Sequence, residues 1–221
     1  MGGTYLGRFF GSTIGLKVLM ALTGFVLFGF TVAHVSGNLL VFAGAEKMNA
    51  YAHLLKASAA VLWGARAVLL LSVAVHVVSA IKLTKRRAEA RPVAYGLKEP
   101  HGSSYASRTM IWSGPILGLF VIYHLLHFTV GSVHPKFVEG MAFENVVTGF
   151  SSAPVALVYI IAMLALGLHL SHGVWSLLQT LGVNRPNWER TLKRAAIGFR
   201  VAVSLGFISI PVAVLLKIVH L

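Results

Sequence analysis

Five apolar runs divide the chain, at residues 14–42, 57–81, 111–130, 154–179 and 195–219. Each is about 20 residues or longer, the length a helix needs to cross the hydrocarbon core of a bilayer. Lipid offers no hydrogen-bond partners, so a segment lying in it must satisfy its own backbone groups, which a helix does. The expected fold is therefore all-α, a membrane-embedded bundle of five transmembrane helices forming one domain over residues 1–221. Composition agrees: 57% of the residues are hydrophobic and 11% charged, more apolar surface than a soluble core of this size could hide. The N-terminal stretch Met1 to Gly15 has no compact apolar core followed by a small-residue cleavage site, so no cleaved signal is expected.

Charge sets the expected orientation. Nineteen Lys and Arg against six acidic residues, all Glu, give a net charge of +13. In a membrane protein such an excess is first a topology signal, and nucleic acid is not an expected partner. Lys82, Lys85, Arg86, Arg87, Arg91, Lys98 and Arg108 lie between spans two and three, and Arg185, Arg190, Lys193 and Arg194 between spans four and five. The other two loops hold only Lys47, Lys56 and Lys136. Positive charge stays inside, which puts the N-terminus and both basic loops in the cytoplasm and the C-terminus outside. The chain has no cysteine, which excludes disulfides, thiolate-held iron–sulfur clusters and zinc–thiolate sites.

Four of the five runs carry histidine. Span one holds His34, span two His76 with Arg66, span three His124 and His127, and span four His169 and His172 within GLHLSHGVWS; span five has none before His220. An imidazole in lipid costs free energy unless something satisfies it. Counting about 1.5 Å per residue between the flanking charges gives each histidine a depth. His34 and His124 fall to the outer side of the midplane, His76 and His169 to the inner side, and the two levels differ by roughly 10 Å. Two histidines facing one another at one level suit six-coordinate haem, one imidazole on each face of the iron. Zinc usually takes three or four close ligands and fits less well; ligand type alone leaves copper open. Gly37, one turn from His34, would leave room for a macrocycle edge, and Gly167 and Gly173 would let a bulky planar group or another helix come close. Arg66, a charge within a span, calls for an anionic partner, either a haem propionate or a lipid phosphate. No Glu falls in a span, so protons are expected to exchange at a membrane face, with His127, His134, Glu139 and Glu144 as the outer candidates.

Several stretches together carry a resemblance: GSTIGLKVLMALTG (11–24), HVSGNLLVFAG (34–44), Arg66 to His76, SYASRTMIWSGPILGLFVIYHLLHFTVGSVHP (104–135) and GLHLSHGVWS (167–176). Their residues and order resemble the cytochrome b membrane-anchor subunit of succinate dehydrogenase and fumarate reductase, in its single-chain, five-helix, two-haem form. The resemblance covers most of the first four spans; the fifth matches only as a histidine-free apolar helix. It implies two haem b groups as cofactors, the outer held by His34 and His124 and the inner by His76 and His169. The YHLL context resembles the family's ligand position at His124 rather than at His127. The small residue and Trp175 that follow favour His169 over His172. The spare histidines His127 and His172 would then serve haem propionates, quinone or a neighbouring helix. Lys17, Ser104 and Arg108 lie at the cytoplasmic edge, where inner-haem propionates or a partner subunit could meet them; for Lys17, ordinary interfacial snorkelling is an equal reading.

The same resemblance implies a role in electron transfer rather than in succinate chemistry itself, since the chain has neither a flavin fingerprint nor cluster-binding cysteines. Electrons would pass between flavoprotein and iron–sulfur subunits at the cytoplasmic face and a membrane quinone, with menaquinone the expected species. The expected location is the bacterial inner membrane, as a multi-pass protein; oligomerisation of the whole complex stays open. Two rival readings are an anchor for another quinone-linked dehydrogenase, such as a hydrogenase or formate dehydrogenase, and a haem-free transporter using histidines as proton relays.

Overall fold

In the computed structural model, residues 4–90, 105–183 and 186–221 are described. Among them there is no strand, and five helices are long and apolar enough to cross a membrane. The first is α2 (Thr13–Asn38), extended by a 3₁₀ turn, Leu39–Ala43; it follows a short N-terminal helix, α1 (Tyr5–Gly11). The others are α4 (Ala59–Glu89), α5 (Tyr105–Leu125) with a π turn over Leu126–Val130, α7 (Ala153–Thr180) and α8 (Glu189–Leu215). Two shorter helices, α3 (Ala45–Lys56) and α6 (Ala142–Phe150), fill what the sequence presents as loops. Of α3 only Met48 is buried, whereas α6 buries Phe143, Asn145, Val146, Val147, Gly149 and Phe150.

Local chemistry explains the ends. Ser12 caps α2 by accepting from Gly15 N at 3.0 Å, and Ser58 begins α4 in the same way through Val61 N at 3.4 Å. Helix α4 runs about two turns beyond the apolar run that ends near Ile81. Its extension, Lys82 to Glu89, consists largely of good helix formers, places cations at the negative end of the helix dipole and carries an i,i+4 Lys85–Glu89 pair at 3.9 Å. Helix α8 likewise begins six residues ahead of the expected start, at Glu189, which Lys193 meets one turn on at 2.6 Å. It stops at Leu215, four residues short of the expected end.

The principal helix pairings are α2 with α4, α5 with α7 and α7 with α8. Small residues are buried along both α7 and α8: Ala156, Ala162, Ala165 and Gly167 on the first, and Ala196 and Ala213 on the second. Close helix approach through small residues is the usual packing in lipid, where no hydrophobic force drives helices together. A Cβ on Gly167 would meet Ser204 Oγ, so this glycine serves helix packing. Gly37 is also filled: a Cβ there would strike the Tyr51 ring of α3, which corrects the expectation of space for a macrocycle edge.

The two ends of the bundle differ. On the N-terminal side Arg86 of α4 ties down the α1–α2 corner, donating to Gly11 O at 2.6 Å and Thr13 Oγ1 at 3.3 Å. On the far side α3, α6 and the end of α8 close over a core of Val41, Met48, Phe143, Val147, Phe150, Ile210 and Val214. Polar ties lock this cap. Asn49 donates to Glu144 Oε2 and accepts from Phe143 N, both at 2.9 Å. Asn145 holds Val138 through N–H to Oδ1 at 2.9 Å and Nδ2 to O at 2.7 Å.

Candidate functional site

Two imidazole pairs lie inside the bundle. His34 of α2 and His124 of α5 have ring centroids 5.7 Å apart, on the far side. His76 of α4 and His169 of α7 have centroids 6.2 Å apart, nearer the N-terminal side. These are the same residues that share a depth along the spans. Neither His127 nor His172 faces a partner across the bundle in this way. His127, within the π turn that starts at Leu126, shares the Tyr159 hydroxyl with His124 and packs against His134 rather than His34.

Each of the four paired imidazoles has a polar side chain beside its Nδ1. Thr23 Oγ1 lies 3.3 Å from His76, Ser113 Oγ 3.5 Å from His169, Tyr159 OH 3.4 Å from His124 and Asn38 Nδ2 3.4 Å from His34. Thr23 gives its own hydrogen to Leu19 O at 2.7 Å, which leaves the hydroxyl oxygen free to accept from His76 Nδ1–H. Asn38 instead donates to His34 O at 2.8 Å. Among the described residues no Nε2 of these four has a hydrogen-bond partner.

A spacing rule underlies this arrangement. Thr23 and His34 are eleven residues apart on α2, and Ser113 and His124 eleven apart on α5. Eleven residues make about three turns and 16 Å, so hydroxyl and imidazole share one stripe, each serving a different level. The levels are therefore about 16 Å apart, wider than expected from depth, because the charges used as depth markers do not sit at the helix ends.

A metal–imidazole nitrogen bond is about 2 Å long and the ring centroid lies about 1 Å behind the nitrogen, so two imidazoles on one metal stand about 6 Å apart, centroid to centroid. Both pairs have that separation, and His76, His124 and His169 each have beside Nδ1 a hydroxyl able to accept its hydrogen, which would leave Nε2 for a haem iron. Among the described residues no three His or Glu side chains converge on one point, so the geometry does not suit a tetrahedral ion.

The remaining sequence candidates are spread between the two sides of the bundle. Helices α2 and α4 are antiparallel with His76 beside Thr23; Arg66, ten residues back along α4, is thus about 15 Å towards the far side, close to the His34 level. Its guanidinium sits over the Trp63 ring at 4.8 Å, a cation–π contact. Lys17 and Arg108 are exposed near the N-terminal side, and Ser104 lies outside the described residues. Of the proton-exchange candidates, Glu139 pairs with Lys56 at 3.8 Å and Glu144 is held by Asn49. His134 donates from Nε2 to Asn145 O at 2.9 Å and accepts Lys136 N at Nδ1 at 3.1 Å. These groups tie the cap together and do not form one cluster.

The sequence reading missed Thr23, Ser113, Asn38, Tyr159 and Arg200. The repeated eleven-residue spacing was a usable signal for the first two. Arg200 lies in α8 one turn to the N-terminal side of Ser204, which donates to Met163 O at 3.2 Å, so it is near the His169 level. Its Nε is buried without a partner. It was legible as the only charge inside the fifth apolar run before Lys217.

No curated protein and no solved structure matches the chain. The sequence model of one family, described as the succinate dehydrogenase/fumarate reductase transmembrane subunit, matches residues 86–207. That stretch includes His124 and His169, whereas His34 and His76 enter through the geometry. With more than half of its 221 residues matched, this multi-pass membrane chain belongs to the succinate dehydrogenase/fumarate reductase transmembrane subunit family.

Proposed function

We propose that this chain is a dihaem cytochrome b, the subunit that carries electrons between succinate or fumarate chemistry on partner subunits and a quinone in the membrane. The observation that carries the reading is the pair of imidazole couples, each at the separation of two axial ligands and each with Nδ1 next to a polar side chain. His34 and His124 would hold one haem b on the far side, and His76 and His169 a second on the N-terminal side. Haem supplies a one-electron iron couple whose potential its axial ligands, hydrogen bonds and burial adjust.

The chain's own residues bind and orient the two groups. Thr23, Ser113 and Tyr159 can accept the Nδ1–H of a ligand imidazole, which leaves Nε2 for iron and stops the ring from turning. Two cations inside the spans suit carboxylate partners, since a charge at that depth needs one. Arg66 would serve the far haem and Arg200 the near one, with Lys17, Ser104 and Arg108 towards the N-terminal edge.

The excess of Lys and Arg in the two loops on the N-terminal side supports a cytoplasmic location for that side and an inner-membrane location in a bacterium. Flavoprotein and iron–sulfur subunits would dock there, and the quinone, menaquinone on this reading, would exchange from the bilayer.

Purification from a native membrane through a tag on this chain tests the reading. Co-purification of a flavoprotein and an iron–sulfur protein, with about two haems per copy by pyridine haemochrome assay, is the expected result, since each iron takes two of the four imidazoles. A chain that purifies without haem would overturn it in favour of histidines acting as proton relays. Partners of a hydrogenase or formate dehydrogenase would overturn the assignment to succinate or fumarate.

A further inference from the structure

The far pair has a feature that the near pair lacks. Tyr159 of α7 is buried and touches two histidines through one oxygen: His127 Nδ1 at 2.9 Å and His124 Nδ1 at 3.4 Å. His127 has no exposed surface at all, and its Nε2 is buried without a partner. A phenol has one hydrogen to give and can also accept. With both nitrogens against the same oxygen, an ordered chain results when one histidine receives that hydrogen and the other donates its own. If His124 binds metal through Nε2, its Nδ1 must carry a proton. The order is then fixed: His124 Nδ1–H donates to Tyr159 oxygen, and Tyr159 O–H donates to His127 Nδ1.

We propose that Tyr159 is a positioning residue for His124, and that His127 strengthens it from behind by taking the phenol hydrogen. The proposal rests on the haem reading given above. A carbonyl or hydroxyl accepting the outer N–H of a metal-bound imidazole fixes the ring and raises its basicity. Donation of the phenol hydrogen to His127 makes the phenol oxygen a better acceptor, because hydrogen bonds in a chain polarise one another. A more basic axial ligand favours ferric over ferrous iron and so lowers the potential of the far haem. His127 therefore acts through Tyr159 and needs no contact with the metal. Its burial serves the chain, since no water can compete for the phenol hydrogen.

The ring of Tyr159 also packs against Phe120, Tyr123, Phe128 and Phe150, with centroids 4.8 to 5.9 Å away. Packing and hydrogen bonding can therefore be separated. Tyr159→Phe keeps the ring and deletes the oxygen, whereas Phe150→Leu disturbs the packing and leaves the oxygen in place.

Potentiometric titration of the intact complex, followed by optical and low-spin ferric EPR signals, tests the proposal. In Tyr159→Phe both haems should remain, the far component's midpoint should move upwards with a change in its largest g value, and the near component should not move. His127→Leu should move the far midpoint in the same direction by less. Phe150→Leu should leave both midpoints where they are. Two unchanged midpoints in Tyr159→Phe would overturn the proposal and leave the haem reading standing, as would a shift in Phe150→Leu equal to that in Tyr159→Phe. A wild-type complex without two haems would instead overturn the haem reading itself.

Discussion

The far and near histidine pairs offer the same imidazole chemistry in different surroundings. Around His34 and His124 stand Phe30, Phe120, Phe128, Phe207 and Tyr159, all with ring contacts to one or the other. Above them the α3–α6 cap seals the far end with an apolar core and backbone ties. His76 and His169 face only each other among the described aromatic rings, and their polar neighbours are the aliphatic hydroxyls of Thr23 and Ser113. On the dihaem reading, two sites with the same pair of imidazoles but unlike burial and hydrogen bonding should have different potentials, because those are the levers a protein has over a bound haem. The fold thus gives one repeated pair of residues two unequal surroundings.

Ligand removal should break the comparison most completely. His169→Ala should abolish the near haem and leave the far one, while His34→Ala should do the reverse. Redox titration of the two variants should show a different missing component in each. Loss of the same component in both would mean that the histidines are paired across the levels and not within them.

A smaller effect is expected from the cap alone. Gly149 of α6 backs onto the far site so closely that a Cβ would lie 2.9 Å from His127 Cε1 and 3.1 Å from His134 Nε2. Gly149→Ala should overpack it at a cost of about 1–3 kcal/mol, offset by up to about 1 kcal/mol of helix propensity. Thermal unfolding should register the net loss, and the far haem's EPR line should broaden while the near one keeps its shape. An equal disturbance of both lines would mean that the cap does not belong to one site.

The smallest effect should come from Thr23→Val. It keeps the side chain's shape and deletes the oxygen 3.3 Å from His76 Nδ1. The near midpoint should rise modestly, with the far one fixed. A larger shift here than in Tyr159→Phe would reverse the ranking of the two sites, since Thr23 has no second histidine behind it.

Much of this was legible in the chain. Long apolar runs named the five spanning helices because lipid forces each segment to satisfy its own backbone. Depth counting paired His34 with His124 and His76 with His169 because rise per residue is constant along a helix. What it could not supply was azimuth. His124 and His127 are three residues apart and share a face in an ideal helix; both reach Tyr159, and only the packed bundle shows that His124 is the one facing His34. Tyr159 was unreadable for a related reason: its neighbours come from α5, and nothing local in α7 signals a phenol placed between two imidazoles. Helices α3 and α6 were passed over because each is short, 12 and 9 residues, and neither resembles a span. Gly37 shows how a correct residue can mislead, since the close approach it permits is made by Tyr51.

One measurement tests the central claim directly: potentiometric titration of the intact wild-type complex with its haem content counted on the same sample. Two haems per chain, titrating as two low-spin components with distinct midpoints and no carbon monoxide binding when reduced, is the predicted result, because all four imidazoles are then committed as axial ligands. One haem per chain, or a reduced form that binds carbon monoxide, would contradict it.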